Sequence, residues 1–404
     1  MQLVAPLMLV SQLASATPLY VSSYSSGNWA GNISILEFGP KPAGGGYALR
    51  QTGALNTSTN SPSWLTLDKA SNTLFLVDEA IGGSPNGTLV AYDVKSGGNL
   101  EETARVKALQ GGVSAVVFGN GSAVAVAHYG ASALQTYRRA KGKLELLQSF
   151  DFKRQGWGFE TGKIAQRQEA PHPHQVLLDP SGRFLLVPDL GFDQVHVFYV
   201  EGNGLLSPLA PLKTPKGTGP RHGVFSPGPM GNGDYMFYLV GELAGDVAGY
   251  VVSHRSEREI AFYEVGRWDT LPEGRERLVG PDGASLVAPA EIAITTNTLG
   301  QSNLIVSNRN DASFGRNPSV DSLMTYAILP SGLLVKQPLQ RAGGSFPRSF
   351  AVSADGVFMA VALQKSGAVV VLKRNGWSDL FDEEVARVKM RMGAEQATCV
   401  VWGV

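Results

Sequence analysis

The sequence has a single cysteine, Cys399, so no internal disulfide can form and no cysteine-based metal framework is available. Cys399 lies in the apolar run QATCVVWGV and reads as a packing residue. Charge is sparse and balanced: 34 basic and 34 acidic residues among 404 leave a net charge of zero. With no basic block, no long-range attraction to nucleic acid is expected. The densest basic stretch, YRRAKGK at 137–143, reads as a solvated turn. Beyond the amino terminus no apolar run is long and clean enough to span a bilayer as a helix, so no membrane partner is expected. The chain lacks a G-x-S-x-G elbow, which argues against the serine mechanism of α/β-hydrolases. It also lacks a P-loop and a nicotinamide fingerprint, and no His, Cys, Asp or Glu set has metal-ligand spacing. The expectation is therefore no cofactor and no metal.

The amino terminus, MQLVAPLMLVSQLASATP, is an apolar run followed by the small-x-small pattern of Ala14, Ser15 and Ala16. Against a signal peptide, no Lys or Arg precedes the apolar run; in its favour stand the small-residue pattern and the sequons that follow. N-x-Ser/Thr sequons occur at Asn32, Asn56 and Asn86. These features predict a signal peptide over 1–16, a domain over 17–404, and a secreted, glycosylated protein. The alternative is an ordinary first strand in a cytoplasmic protein.

Glycine is abundant, at 48 residues, and short apolar runs end in Gly, Asn, Asp, Ser or Pro. That mixture favours strands and tight turns. The chain also repeats itself. Clear units start at Ser61, His172, Gly219 and Phe346, and weaker ones at Val113 and Pro289. Each has a polar or Pro-containing lead, a strand, a turn, a second apolar strand, a loop and a third strand. Residues 17–38 and the stretch ARVKMRMGAEQATCVVWGV look like two halves of a seventh unit. The predicted fold is all-β: a seven-bladed β-propeller, a monomer, its ring closed by an N-terminal strand pairing with C-terminal strands, with six or eight blades as the alternatives because the spacing after Gly245 is loose. The second strands are apolar on both faces, which places Phe184, Phe237, Tyr238 and Phe358 in the core. The charged loop from Phe152 to Pro173 is long for a hairpin, and its Trp157 and Phe159 are candidates for a lid.

Blade symmetry selects candidate site residues. His174, Arg221 and Arg348 share one place, just before the first strand of their repeats. Glu242 and Arg309 share a second place, just after the central strand. His222 follows Arg221 and should point the opposite way if the strand has begun. His128, in VAHYG, follows a central strand and is a candidate to face the channel. His172 reads as structural, His196 and His254 as peripheral, and Asp179, Asp189 and Asp355 as turn residues. Arginines bind carboxylate or phosphate through a rigid fork and stabilise a developing oxyanion. A neutral imidazole moves protons near pH 7, and a carboxylate serves as a base or orients the imidazole.

The ordered set QEAPHPHQVLLDPSGRFLLVPDLG, GTGPRHGVFSP, YLVGEL, IVSNRN and FPRSFAVSADG resembles the seven-bladed β-propeller lactonase family, over most of the chain from about Leu19. That family includes propeller-type 6-phosphogluconolactonases and the fungal carboxy-cis,cis-muconate cyclases. The resemblance implies a funnel-shaped site at one end of the channel. His174, Glu242 and Arg221 would be catalytic there; Arg309, Arg348, His222 and His128 would hold a small anionic lactone or carboxylate. Gly241 stands where the family usually has Asn. The implied activity is lactone hydrolysis of the 6-phosphogluconolactonase kind. The alternatives are the muconate cyclase reaction and a non-catalytic binding propeller. The enzymatic reading is to be abandoned if His174, Arg221, Glu242 and Arg309 do not converge in one concave site.

Overall fold

Runs such as TLFLVD, AVAVAH and FLLVPD, bounded by turn residues, form the second strand of each sheet and are buried on both faces. The computed structural model describes residues 16–25, 31–42, 44–81, 86–154, 156–272, 279–391 and 396–404. These build seven antiparallel sheets of four or five strands. Blades 1 to 6 run in chain order over 62–109, 112–151, 173–213, 220–269, 288–341 and 347–389. Blade 7 takes its innermost strand, Ala397–Trp402, from the carboxyl-terminal side and its other three, Thr17–Ser23, Asn32–Pro40 and Tyr47–Asn56, from the amino-terminal side. Most of the region predicted to be a leader, residues 1–15, lies outside the described residues. No helix among the described residues is long and apolar enough to cross a membrane.

The predicted ring is present, with two refinements. Each repeat was read as three strands, and the structure adds an outermost edge strand. Leu100–Leu109, with sequence LEETARVKAL, is one example. Such strands pair on one side and are largely solvated, so their sequence is too polar to announce them. The closing blade is also divided three to one: ARVK, at 386–389, belongs to the edge strand Phe381–Lys389 of blade 6. The basic stretch 137–143 is only partly a turn. Tyr137 is buried, while Arg139 binds Asp68 at 2.7 Å and lies over the Phe75 ring, joining blades 1 and 2.

Apolar layers between adjacent blades hold the ring together. Phe38 of blade 7 meets Phe358 of blade 6 and Trp402 edge-on, with centroids 4.9 and 5.7 Å apart. Phe184, Phe237, Tyr238 and Phe358 are all fully buried, as expected, and Cys399 is a buried packing residue. At the closure, Leu19 pairs with Trp402 and Ser22 with Cys399. The Thr398 hydroxyl lies 2.8 Å from the Ser22 hydroxyl and donates to the Pro62 carbonyl of blade 1 at 2.7 Å. Thr398→Val keeps the shape and leaves these buried partners unmet. A loss of about 1–3 kcal/mol is expected in urea unfolding; a change below ~0.5 kcal/mol would show that the closure does not depend on this hydroxyl.

One local feature positions the site. Every blade has one extra residue at the head of its innermost strand. In blade 1, Pro62 pairs with Asp78 but Trp64 with Val77, leaving Ser63 over. Ser114, Ser349 and Cys399 follow equivalent shifts in blades 2, 6 and 7, and blades 4 and 5 shift at Pro220/Gly223 and Pro289/Ile292. In blade 3, Pro173 bridges Asp189 while Leu177 pairs with Leu186, again one residue in excess. A bulge re-aims the side chain it carries. His174, Arg221 and Arg348 all occupy bulged heads, around one ring.

Candidate active site

The head of blade 4 shows how sequence sets this geometry. Gly219 has φ +61°, and a Cβ there would come within 2.4 Å of Leu243. Glycine therefore lets the chain turn tightly into Pro220 and Arg221. The Gly219 carbonyl accepts the Glu242 N–H at 2.9 Å, which fixes the end of the second strand beside the head of the first.

Glu242 is the centre of the cluster. Its Oε2 pairs with Arg221 Nη1 at 2.9 Å and Arg309 Nη2 at 2.8 Å, and its Oε1 with Arg167 Nη2 at 2.7 Å. Burial opposes its charge, yet Arg309, Arg221 and Arg167 overcome that and hold the carboxyl well below its ordinary pKa. Arg221 also donates to the Ala290 carbonyl at 3.3 Å and Arg309 to the Ala288 carbonyl at 3.0 Å. Both groups are thus anchored to blade 5. Burial and the nearby Arg309 push Arg221 down to about 9. Arg221, Arg309, Glu242 and His174 are all buried, whereas the Arg167 side chain is 41% exposed and closes the cluster toward solvent.

Arg221 Nη1 also donates to His174 Nε2. A guanidinium never accepts, so Nε2 carries the lone pair and Nδ1 the proton. Burial, then Arg221 and His222, push the His174 pKa far down, so the ring is neutral at pH 7. Tyr129 stands edge-on to His174 at 5.6 Å and stacks on His172 at 4.2 Å. Across the mouth, Arg348 lies 3.8 Å from Glu79 and over the Tyr24 ring, and the Tyr24 hydroxyl donates to Glu79. Within these ion pairs, four guanidiniums (167, 221, 309, 348) meet two carboxylates (242, 79), a surplus of two positive charges. One layer further along the heads, His222 Nδ1 pairs with Glu291 at 2.9 Å. Among the described residues no group of three or more His, Cys, Asp or Glu is arranged to hold a metal ion.

Residues 18–402 match the family model described as "Lactonase, 7-bladed beta-propeller". The chain belongs to this lactonase family. It is 30% identical over 353 residues to a protein of Arthroderma benhamiae named "Probable 6-phosphogluconolactonase", covering 86% of this chain and 81% of that one. A 6-phosphogluconolactonase of Formosa agariphila is 28% identical over 221 residues, 53% of this chain and 54% of that one. The solved periplasmic gluconolactonase of Pseudomonas aeruginosa is similar at 26% identity with a TM-score of 0.76, covering 96% of this chain and 99% of that one.

In this lactonase-family propeller, His174, Arg221, Glu242 and Arg309 form one contiguous buried cluster, Arg221 touching both His174 and Glu242 and Arg309 touching Glu242. Arg348 stands on the facing wall, paired with Glu79. His222 sits beneath His174 and is almost wholly buried. His128 lies apart from this group. Its Cα pairs with Gly112 as Asp78 pairs with Pro62, so it faces the loop entering its own blade. The residue equivalent to Glu242 in blade 2 is the next one, Tyr129. The same rule yields Glu79 in blade 1 and Tyr24 in blade 7, both overlooked, although LFLVDE and YVSSY carried the signal. Arg167 was also overlooked, in a loop whose length had been noticed. The loop's two aromatics are not a lid over the cluster: Trp157 packs on Phe150, Phe152 and Phe198, and Phe159 on Phe192. His254 binds the turn residue Asp179; His196, expected to be peripheral, is instead buried in a strand, stacked on Phe152 and paired with the buried Asp189.

Burial pushes the His128 pKa down from 6.5 to about 4. Between these two values the unfolded chain binds a proton that the folded ring refuses. Its contribution to stability is therefore complete above pH 6.5, declines as pH falls toward 4, and is constant below. Between pH 7 and pH 5 that loss is roughly 2 kcal/mol. Urea melts of His128→Gln at the two pH values are expected to show a smaller pH difference than wild type by about that amount. An identical difference would place the acid sensitivity elsewhere.

Proposed function

We propose that this chain hydrolyses the lactone of an anionic sugar acid of the gluconolactone class. The observation that carries this reading is the convergence of three guanidiniums on one buried carboxylate beside a neutral imidazole. The names of the relatives point to the same substrate class. An entering carbonyl oxygen competes with Glu242 and His174 for the N–H groups of Arg221 and Arg309. The guanidinium that turns to it stabilises the oxyanion and releases the lone pair of His174 Nε2. A water molecule attacks the carbonyl carbon and gives its proton to that nitrogen. The ring C–O bond then breaks, and the proton passes to the leaving ring oxygen to complete the hydroxy acid. Glu242, held as a strong acid, is a weak base; its role is to gather and aim the arginines. Arg348 and Arg167, on opposite sides of the mouth, are placed to receive the substrate's own carboxylate or phosphate.

The test is turnover of glucono-1,5-lactone, 6-phosphogluconolactone and carboxymuconate by purified protein, with spontaneous reaction subtracted. Ring opening of a sugar-acid lactone is the expected result. Turnover of carboxymuconate alone would replace hydrolysis with cyclisation. Activity on none of the three would point to a binding propeller.

A further inference from the structure

The mechanism above leaves one buried pair unused. His222 sits on the bulged head of blade 4, beside Arg221. Its Nδ1 lies 2.9 Å from Glu291 Oε1 of blade 5, and the ring is 1% exposed. A carboxylate only accepts, so Nδ1 carries the proton and Nε2 a bare lone pair. That Nε2 is buried without a hydrogen-bond partner. The adjoining ring is His174, 5.2 Å away centroid to centroid and nearly edge-on at 67°. Its Nδ1, protonated because Arg221 donates to Nε2, is likewise buried without a partner. Two neighbouring rings thus hold complementary orphans, a donor on one and an acceptor on the other. Unmet buried polar atoms are costly in a resting fold and call for a reason.

We propose that Glu291, His222 and His174 form a proton relay leading back from the attacking water. The proposal rests on His174 acting as the base. Its steps balance. The water O–H breaks and its proton joins His174 Nε2. The His174 Nδ1–H breaks and that proton joins His222 Nε2, directly after a small ring turn. His222 becomes an imidazolium whose charge is met by Glu291. The steps reverse when the ring oxygen leaves: His222 returns its proton to His174 Nδ1, and His174 Nε2 gives its own to the oxygen. The charge formed at the base is thereby moved from a ring in direct contact with Arg221 to one paired with a carboxylate, whose attraction offsets the repulsion that Arg221 exerts on both rings. The groups facing His222 are Arg221 on its own strand, His174 from blade 3, Glu291 from blade 5, Arg348 from blade 6 and the Trp64 ring from blade 1. Glu291 is the only carboxylate in this set.

The test is Glu291→Gln, in which the side-chain oxygen still accepts the Ile292 N–H, as Oε1 does now at 3.2 Å. Hydrolysis of whichever lactone the wild type turns over is measured from the lowest pH at which the wild type stays folded up to pH 9. The expected result is a 10- to 100-fold lower kcat, KM within threefold, and an acid limb of kcat displaced to lower pH (roughly the size of a charge-partner effect). Glu291→Asp should recover part of the loss. His222→Asn should lose as much as Glu291→Gln, and the double variant little more, because the two act as one unit. Unchanged kcat and pH profile in Glu291→Gln would overturn the relay while leaving the hydrolase reading intact, since His174→Ala would still be inactive. A wild type without lactonase activity would remove both. Imidazole 15N spectra give a second readout if a variant is poorly folded. The wild-type His222 must show the proton on Nδ1, and a proton found on Nε2 instead would end the proposal.

Discussion

Glu242→Ala should lose about 3–5 kcal/mol of unfolding free energy, the largest stability effect expected of any single change at the mouth. The reason lies in what remains. Arg221 and Arg309 stay buried, and with Arg167 they lose the carboxylate that all three share. Breaking a buried pair by removing one partner leaves an uncompensated charge in a poorly solvated place, and here one deletion does so more than once. Glu242→Gln should be milder, because an amide oxygen still accepts. Pairing Glu242→Ala with Arg309→Met should restore part of the loss, because one stranded charge leaves with its partner. Urea unfolding at pH 7 measures each of these. A Glu242→Ala protein within ~1 kcal/mol of wild type would mean that water already reaches the arginines. The acid behaviour follows from the same pairing. With its folded pKa held far below 4.5, Glu242 contributes stability that is complete above that value and is lost as pH falls through the folded pKa.

His174→Ala should show the reverse pattern, a large kinetic loss with a small thermodynamic one. Removing a positioned base lowers kcat/KM by about 10²- to 10⁴-fold. The ring is neutral, so its removal strands no charge, and Arg221 keeps both Glu242 and the Ala290 carbonyl as acceptors. The expected change in stability is about 1–2 kcal/mol, within the ordinary range for a truncated buried side chain. Initial rates on the lactone that the wild type opens, beside a urea melt of the same preparation, separate the two effects. A His174→Ala enzyme with more than a tenth of wild-type kcat/KM would remove the imidazole from the chemistry and return attention to Glu242.

Much of this was legible because each repeat carries the same grammar at the same place. Pro173, Pro220 and Pro347 mark the heads of three inner strands, so the sequence alone places His174, Arg221 and Arg348 on one ring. The outer strands were not legible in the same way. LEETARVKAL is solvated over much of its length, and an edge strand needs little hydrophobicity. The His128 assignment failed by one residue, because only the pairing register tells that Tyr129 occupies the position of Glu242. Arg167 reaches Glu242 across 75 positions from a loop with no repeat to align it. The Glu291–His222 contact spans 69 positions and two blades. Symmetry of the sequence gives the places at the mouth; it does not say which charged groups pair there.

The division of blade 7 has a consequence for biosynthesis. Thr398 meets Ser22 across 376 residues, and the strand it belongs to, Ala397–Trp402, is translated after every strand it pairs with. Until those residues leave the ribosome, Thr17–Ser23 has a bare inner edge, and the blade between the first and the sixth lacks its innermost strand. Pairings this distant form slowly, and open strand edges in unfinished chains invite association with other chains. A nascent polypeptide stalled or truncated before residue 397 would therefore carry an unsealed seam along Thr17–Ser23, whatever the quality of the other six blades.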